Sequence, residues 1–177
     1  MTDLQKHFLN HKKVGLTIHV VPDARRATQV TCRGKIPTVY LHKKDKKYKK
    51  KVKGIIDQMD TDANNLDVFR NSEGPIHVSY VFYMKTPKYR SSKVSKATKN
   101  DELFLVDKKP DLDNLEKSLG DILEDYFFGN DGRIATKWSA KVYADGDPRI
   151  DIFVMKVGHR IPTQTMDHFV SYFERLK

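Results

Sequence analysis

Three aspartates and one lysine in the second half of the chain have the residue types and spacing of a metal-dependent site. Asp111 and Asp113 are separated by one residue, Lys117 follows four residues after Asp113, and Asp131 lies in a later turn. Ligand sets made only of oxygen favour Mg²⁺ or Mn²⁺, which keep water ligands and accept phosphate oxygens. Such an ion can deprotonate an attacking water and neutralise the charge on a scissile phosphate. Lys117 is spaced to hold that phosphate or to stabilise its developing charge.

The three carboxylates would repel one another strongly without a cation. At a separation of about 4 Å, each pair repels by roughly 4 kcal/mol at an effective dielectric constant near 20. The pKa values would then rise or the side chains would move apart. The alternative is that these residues have structural roles. Asp113 and Glu116 have the spacing of a helix capping box, and Lys117 could form an ion pair with Asp113 or Asp121.

The segment around Asp111 and Asp113 predicts the entrance of an α-helix. Apolar residues recur at helical spacing over residues 112–126. The proline before Asp111 keeps the approaching chain extended and is tolerated at a helix entrance. Alternate residues of an extended chain point to the same side, so both carboxylates can meet at one ion at the helix mouth. The tight turn at residues 129–132 could return Asp131 towards the helix start.

The first part of the chain is strongly basic. The net charge is +10, and the first 60 residues hold 15 Lys and Arg against 5 Asp and Glu, whereas residues 101–177 hold 11 against 15. Eight lysines surround Tyr48 on a predicted helix whose apolar stripe contains Val52 and Ile55. They are Lys43, Lys44, Lys46, Lys47, Lys49, Lys50, Lys51 and Lys53. This helix has either a simply solvated face or a surface for phosphates, and the repulsion among eight lysines favours the latter.

A second basic segment, residues 87–101, leads to the acidic pair. It has no apolar periodicity and is rich in Lys, Ser and Thr, which predicts a mobile loop. The loop is either a disordered connector or a segment that becomes ordered on nucleic acid. Its candidate phosphate contacts are Lys88, Arg90, Lys93, Lys96 and Lys99.

The remaining patterns predict a single α+β domain over residues 1–177. The predicted strands are residues 14–21, 27–32, 74–86, 133–144 and 149–157. The third of these has apolar residues on both faces, as a central covered strand does. The turn at residues 145–148 predicts a hairpin between the last two strands. Residues 164–177 have the spacing of a C-terminal amphipathic helix that packs on the core or on a second subunit.

Composition excludes several classes of protein. The single cysteine, Cys32, excludes an internal disulfide framework and a Cys-rich zinc module. No apolar run reaches membrane-spanning length, so no membrane partner is expected. No Gly-rich loop ending in Lys-Ser or Lys-Thr occurs, so no nucleotide cofactor is expected. These features favour a soluble protein of a reducing cytoplasm, and the uneven charge favours a nucleic-acid partner.

The acidic motif extends well beyond the helix entrance. It comprises KPDLDNLEK at residues 109–117, Asp121, NDGRI at residues 130–134, Lys141 and Tyr143. This order resembles the signature of the RusA family of Holliday junction resolvases. The family pattern is K/R-x-D-x-D-N-L-x-K, then a further Asp, then D-D-x-Q-I/V and a downstream Lys.

The resemblance implies roles for four residues. Asp111, Asp113 and Asp131 would be the catalytic, metal-binding carboxylates, and Lys117 would be the essential lysine. The family implies a small α+β homodimer that requires Mg²⁺, for which Mn²⁺ could substitute. It nicks two opposed strands of a four-way DNA junction symmetrically. Its members are typically encoded by phages or prophages, which implies the cytoplasm of a bacterial host.

The sequence departs from the family pattern at two positions, and the role of Asp121 stays open. Asn130 stands where the family has the first Asp of its usual pair, and Arg133 replaces the usual Gln, so metal affinity and substrate choice could differ. The predicted DNA contacts are Lys43, Lys44, Lys46, Lys47, Lys49, Lys50, Lys88, Arg90, Lys93, Lys96 and Lys141. The alternative function is a non-catalytic protein that binds branched nucleic acid and uses the acidic motif structurally.

Overall fold

A four-stranded mixed sheet is the frame of the fold in the computed structural model, which describes residues 13–26, 29–33, 36–59, 67–70 and 72–159. Its strands are β1 (Lys13–Ile18), β4 (Ile76–Met84), β5 (Ile134–Tyr143) and β6 (Arg149–Lys156), in the order β1-β6-β4-β5. Strand β6 is antiparallel to β1 and to β4, whereas β4 and β5 are parallel. Strands β2 (Gln29–Arg33) and β3 (Ile36–Tyr40) form a separate antiparallel pair. The α+β class predicted from the sequence is therefore confirmed.

Strand β4 is the central strand that its two-faced apolar pattern predicted. It bonds to β6 on one side and to β5 on the other. Its inward residues Ile76, Val78, Tyr80 and Phe82 are each at most 1% exposed. The alternate residues from His77 to Tyr83 are only half-buried, so the strand is central in the sheet but is fully covered on one face only.

Strands β5 and β6 do not form the hairpin that the turn at residues 145–148 predicted. Strand β4 lies between them and bonds to both. The turn residues have the expected geometry, with Gly146 at φ 102°, but they carry the chain across two strand spacings of about 4.8 Å each. A turn signal shows where the chain reverses and does not show whether another strand is inserted between the two arms.

Two helices cover one face of the sheet. They are α1 (Lys43–Asp57) and α4 (Leu112–Leu123), and two shorter helices are α2 (Asp67–Arg70) and α3 (Ser91–Lys99). The core contains Tyr48, Val52 and Ile56 of α1 together with Leu115, Leu119 and Ile122 of α4. The predicted stripes are confirmed, except that Ile56 is buried more fully than Ile55. Within the described residues, none of the helices has the length and apolarity needed to cross a membrane.

The basic segment at residues 87–101 is helical, so the predicted mobile loop is wrong. A 3₁₀ turn at Lys88–Arg90 leads directly into α3. Val94 is only 2% exposed, and Ser95 Oγ donates a hydrogen bond of 2.8 Å to Asp145. One buried valine in a nine-residue helix leaves no apolar period that the sequence could show. The predicted C-terminal helix at residues 164–177 lies outside the described residues.

Arg133 joins three parts of the chain at the start of β5. Its guanidinium donates to the carbonyl oxygens of Phe69 at 2.7 Å, Phe128 at 3.0 Å and Gly74 at 3.1 Å. It also lies 3.2 Å from Ser72 Oγ. These bonds connect the π-helical turn Glu124–Phe128, which follows α4, with helix α2 and with the segment before β4. The Arg that departs from the family pattern therefore has a structural role.

Replacing Arg133 with methionine should destabilise the fold by about 3 kcal/mol, because half-buried carbonyl oxygens lose a charged donor. Urea unfolding followed by circular dichroism measures this loss. The matched control is Arg70→Met, since the Arg70 side chain is exposed and its loss should change stability by less than about 0.5 kcal/mol. Equal destabilisation by both variants would contradict the role assigned to Arg133.

Candidate functional site

Asp111 and Asp113 lie at the mouth of α4, as the sequence predicted. Asp111 is the residue immediately before the helix and is extended, with φ −69° and ψ 144°, whereas Asp113 lies in the first turn. Both are exposed. The positive end of the helix dipole favours negative charge at this place.

The capping box considered for Asp113 and Glu116 does not form. The helix begins two residues earlier than that alternative requires, so Asp111 takes the capping position, and its side chain makes no capping hydrogen bond. Glu116 instead accepts hydrogen bonds from Lys137 and Ser139 of β5. Helix capping therefore accounts for neither Asp111 nor Asp113.

Lys117 lies beside this pair and is held only weakly. Its Nζ is 3.3 Å from Asp113 Oδ2, and the two side chains are 61% and 62% exposed. An exposed ion pair of this kind contributes at most about 1 kcal/mol, so the ammonium can move to a phosphate at little cost. Asp121, whose role the sequence left open, pairs with Arg25 at 2.7 Å. It therefore anchors the segment before β2 on α4.

Lys141 fixes the chain that leads into Asp111. Its Nζ donates to the backbone oxygens of Lys108 at 2.6 Å and of Pro110 at 2.7 Å. Two backbone hydrogen bonds add to this contact, because residues 104 and 106 bond to residues 143 and 141 of β5. The role of Lys141 as a DNA contact stays a prediction, and its role in positioning Asp111 was missed. The presence of Lys141 in the sequence motif was the signal that could have indicated this role.

Arg90 is a packing residue of the same approach. Its guanidinium carbon lies 5.4 Å from the ring centre of Tyr143 and 5.7 Å from that of Phe104. Its side chain is 22% exposed and has Asp107 within 3.8 Å. Cation–π contacts at these distances hold the helical basic segment against the end of β5. Arg90 is therefore less available for DNA than its position in the sequence suggested.

Asp131 lies at the opposite end of β5. It begins the 3₁₀ turn Asp131–Arg133 that immediately precedes the strand, whereas Lys141 lies near the strand's end. Glu116 of α4 contacts β5 between these points, so the helix and the strand run in opposite directions. Ten residues of strand correspond to about 33 Å at 3.3 Å per residue.

The turn does not return Asp131 to the start of α4 of its own chain, so that prediction is wrong. Among the described residues, no group of three or more His, Cys, Asp or Glu side chains could hold a metal ion together. The turn reverses the chain as expected, but the chain needs most of β5 to come back to the helix mouth. Lys141, and not Asp131, is the β5 residue that bonds to the chain before Asp111.

The two aspartates at the start of α4 have the donor chemistry of part of a magnesium site. Mg²⁺ in proteins commonly binds one or two carboxylates and completes its shell with water and phosphate oxygens. Asp111 and Asp113 supply oxygen donors that are exposed and that capping does not use. The donor set therefore suits Mg²⁺ or Mn²⁺ and lacks the soft ligands that zinc favours.

Two lysines of α1 are used in packing against α4. Lys49 Nζ donates to the backbone oxygen of Asp121 at 3.1 Å, and Lys53 pairs with Asp125. The hydrogen bond from Lys53 lowers the pKa of Asp125 below its usual value. Lys49 was predicted to contact DNA, and its ammonium is instead directed to α4.

The other lysines of α1 form an exposed surface. It consists of Lys43, Lys44, Lys46, Lys47, Lys50 and Lys51. A groove of about 480 Å³ is lined by four of these lysines together with Asp23 and Tyr48. Burial raises the pKa of Tyr48 to about 12, so this phenol stays neutral beneath the lysines. The surface has the charge that a phosphate backbone requires.

The acidic pair and both basic helices lie at one end of the molecule. Lys49 and Lys53 meet Asp121 and Asp125 in the same order, so α1 and α4 are parallel and begin at the same end. Helix α3 reaches this end through Ser95 and Asp145, just beyond β5. Exposed lysines on α3 are Lys93, Lys96 and Lys99, and Lys88 is exposed in the preceding turn.

Comparison with known proteins assigns the chain to a family. A search of curated proteins finds no match. The model of the family described as endodeoxyribonuclease RusA matches residues 18–155, which include both basic helices, the helix mouth and β5. Because the match covers most of the chain and contains the whole motif, the chain belongs to the RusA family of endodeoxyribonucleases.

Proposed function

We propose that this protein is a Mg²⁺-dependent endodeoxyribonuclease that resolves Holliday junctions and other branched DNA by paired, symmetric nicks. The observation that carries the proposal is the exposed pair Asp111 and Asp113, which capping does not use and which lies at the same end as two basic helices. A homodimer supplies the two sites that paired nicks need. The proposed setting is the cytoplasm of a bacterial host.

In this mechanism Asp111 and Asp113 would hold the metal ion. Asp131 lies at the other end of β5 in its own chain, so in the homodimer it would complete the carboxylate ligands of the partner copy's site. When bound, the ion supplies an activated water and neutralises charge on the scissile phosphate. Lys117 leaves its weak pair with Asp113 and binds a phosphate oxygen, where its charge stabilises the transition state. Lys141 keeps the chain before Asp111 in place, which preserves the orientation of the acidic pair.

DNA binding and the chemical step are assigned to different groups of residues. The exposed lysines of α1 and α3 neutralise phosphates of the junction arms, and this term depends on salt and not on sequence. The acidic mouth would repel a phosphate without the metal ion. Binding of the arms and positioning of the scissile bond therefore come from separate groups.

Replacing Asp113 with asparagine should abolish cutting and leave binding intact. The change removes one negative ligand and keeps the shape of the side chain, so cleavage of a four-way junction should fall at least about 100-fold. Gel-shift affinity without Mg²⁺ should be equal or higher, because a negative charge near the DNA is lost. Cleavage assays with Mg²⁺ and with Mn²⁺ measure the first effect.

Asp101→Asn is the matched control for that variant. Asp101 is exposed and has φ 59°, a conformation that asparagine adopts readily. This control carries the same charge change and should cut at the wild-type rate. If neither the wild type nor the control cuts any branched DNA while both bind it, the non-catalytic alternative is correct.

The exposed lysines of α1 should contribute to DNA binding, whereas the lysines of α1 that pack against α4 should not. Lys47 and Lys51 are exposed, so changing both to glutamine should reduce the salt slope of junction binding by about 2 and weaken binding several-fold. Lys49 and Lys53 have the same spacing but pack against α4. Changing these two to glutamine should lower stability and leave the salt slope nearly unchanged. Fluorescence anisotropy across a salt series measures both slopes, and equal slopes would contradict the assignment.

A further inference from the structure

A cavity of about 600 Å³ opens beside the turn that carries Asp131. The residues on either side of Asp131, Asn130 and Gly132, both line this cavity, and so does Arg133. Its volume lies within the range of pockets that bind small molecules, about 300–1,000 Å³. The two positions at which the chain departs from the family pattern, Asn130 and Arg133, therefore share one cavity next to a residue of the proposed site.

The side chain of Asn130 has hydrogen-bond donors left for a ligand. Its Oδ1 accepts the 2.8 Å hydrogen bond from the amide of Gly132, and this bond identifies which end of the side chain is oxygen and which is nitrogen. A Cβ atom at position 132 would lie 3.0 Å from that oxygen, so glycine permits the contact. The Nδ2 group carries two donors at the other end of a side chain that is exposed.

Two arginines and one glutamate supply the charged groups of the cavity wall. Arg133 is held in place by its bonds to three carbonyl oxygens. Arg70 is exposed, and its stem lies beside the turn, because a Cβ atom on Gly129 would be 3.9 Å from Arg70 Cγ. Glu73 is exposed on the segment before β4. The wall thus combines several donors with one carboxylate acceptor.

These groups are complementary to the edge of guanine. Guanine has two neighbouring acceptors, O6 and N7, and arginine is the side chain that most often binds them. The N2 amino group of guanine is a donor, which the carboxylate of Glu73 can accept. Pro75 and Ala135 add apolar surface to the wall, which suits the flat faces of a base. A phosphate has only acceptors and would be repelled by Glu73.

We propose that this cavity receives one base of the strand that is cut, and that Asn130 and Arg70 select guanine at that position. The inference rests on the proposed function, because Asp131 is assigned there to the partner copy's metal site. With Asp131 at the scissile phosphate and its two neighbours in the cavity wall, the adjacent base is the part of the DNA within reach. A base enters the cavity only by leaving the stack, which costs least where the duplex is already interrupted, as at the crossover of a junction.

Replacing Asn130 with aspartate tests the base contact with little change in shape. The aspartate still accepts the bond from Gly132, but it presents a negative charge in place of the donors. The wild type should cut junctions with guanine beside the cut roughly ten-fold faster than junctions with another base there. Asn130→Asp should lose this preference or transfer it to cytosine, whose N4 group is a donor. Nicking rates with Mg²⁺ on four-way junctions that differ only at this base measure the preference.

The ratio of rates is the measure, because a new carboxylate beside Asp131 changes the cutting of every junction alike. Arg70→Met should lower the ratio as well. The matched control is Asn100→Asp, which makes the same change on an exposed residue at the end of α3 and should keep the wild-type ratio. A wild type that cuts all these junctions equally, or an Asn130→Asp variant that keeps the guanine preference, would show that the cavity does not select a base, while the nuclease function stands.

Junctions that contain 7-deazaguanine test the same contact without cutting. In this base a C–H group replaces N7, so one acceptor is lost. Without Mg²⁺, the change should weaken wild-type binding several-fold in fluorescence anisotropy and should have little effect on binding by Asn130→Asp. If the variants instead weaken binding to every junction alike and lower the salt slope, the cavity holds a phosphate and the inference is wrong. If the wild type cuts no junction, the proposed function fails, and the binding assay alone decides whether the cavity selects guanine.

Discussion

The hydrogen bonds from Lys141 to the two carbonyl oxygens before Asp111 determine where the acidic pair lies. Bonds from a charged donor are stronger than those between neutral groups, and these two join the end of β5 to the first residues of the motif. The helix α4 begins immediately afterwards. The sheet therefore positions Asp111 and Asp113, and the helix adds its positive N-terminal end.

The same residue types have different roles according to their neighbours. Lys49 and Lys53 hold α1 against α4, whereas Lys47 and Lys51 on the same helix are exposed. Glu116 binds β5, whereas the acidic pair at the mouth is used by neither a cap nor the core. In the described part of the chain, the acidic pair and the exposed lysines of α1 and α3 lie at one end of the molecule. This concentration, more than the net charge, favours a site for metal and phosphate.

The sequence was informative where local pattern decides structure. The position of the pair at a helix mouth follows from residues 110–113 alone, and the stripe on α4 follows from the spacing of Leu115, Leu119 and Ile122. Local pattern could not predict which segments far apart in the sequence pair with each other. The insertion of β4 between β5 and β6 depends on pairings between strands that are far apart in sequence. The helix at residues 91–99 depends on one valine, on the contacts of the preceding Arg90 with residues 104 and 143, and on the hydrogen bond of Ser95 to residue 145.

The two departures from the family pattern bear directly on Asp131. The Asn130 side chain accepts a hydrogen bond of 2.8 Å from the amide of Gly132, a role that an aspartate performs equally well. Arg133 binds three backbone oxygens on the other side of the turn. Both residues therefore hold the backbone on either side of Asp131 in place. A turn fixed so firmly at one end of β5 cannot move to the other end, so Asp131 can join a carboxylate pair only if that pair belongs to another chain.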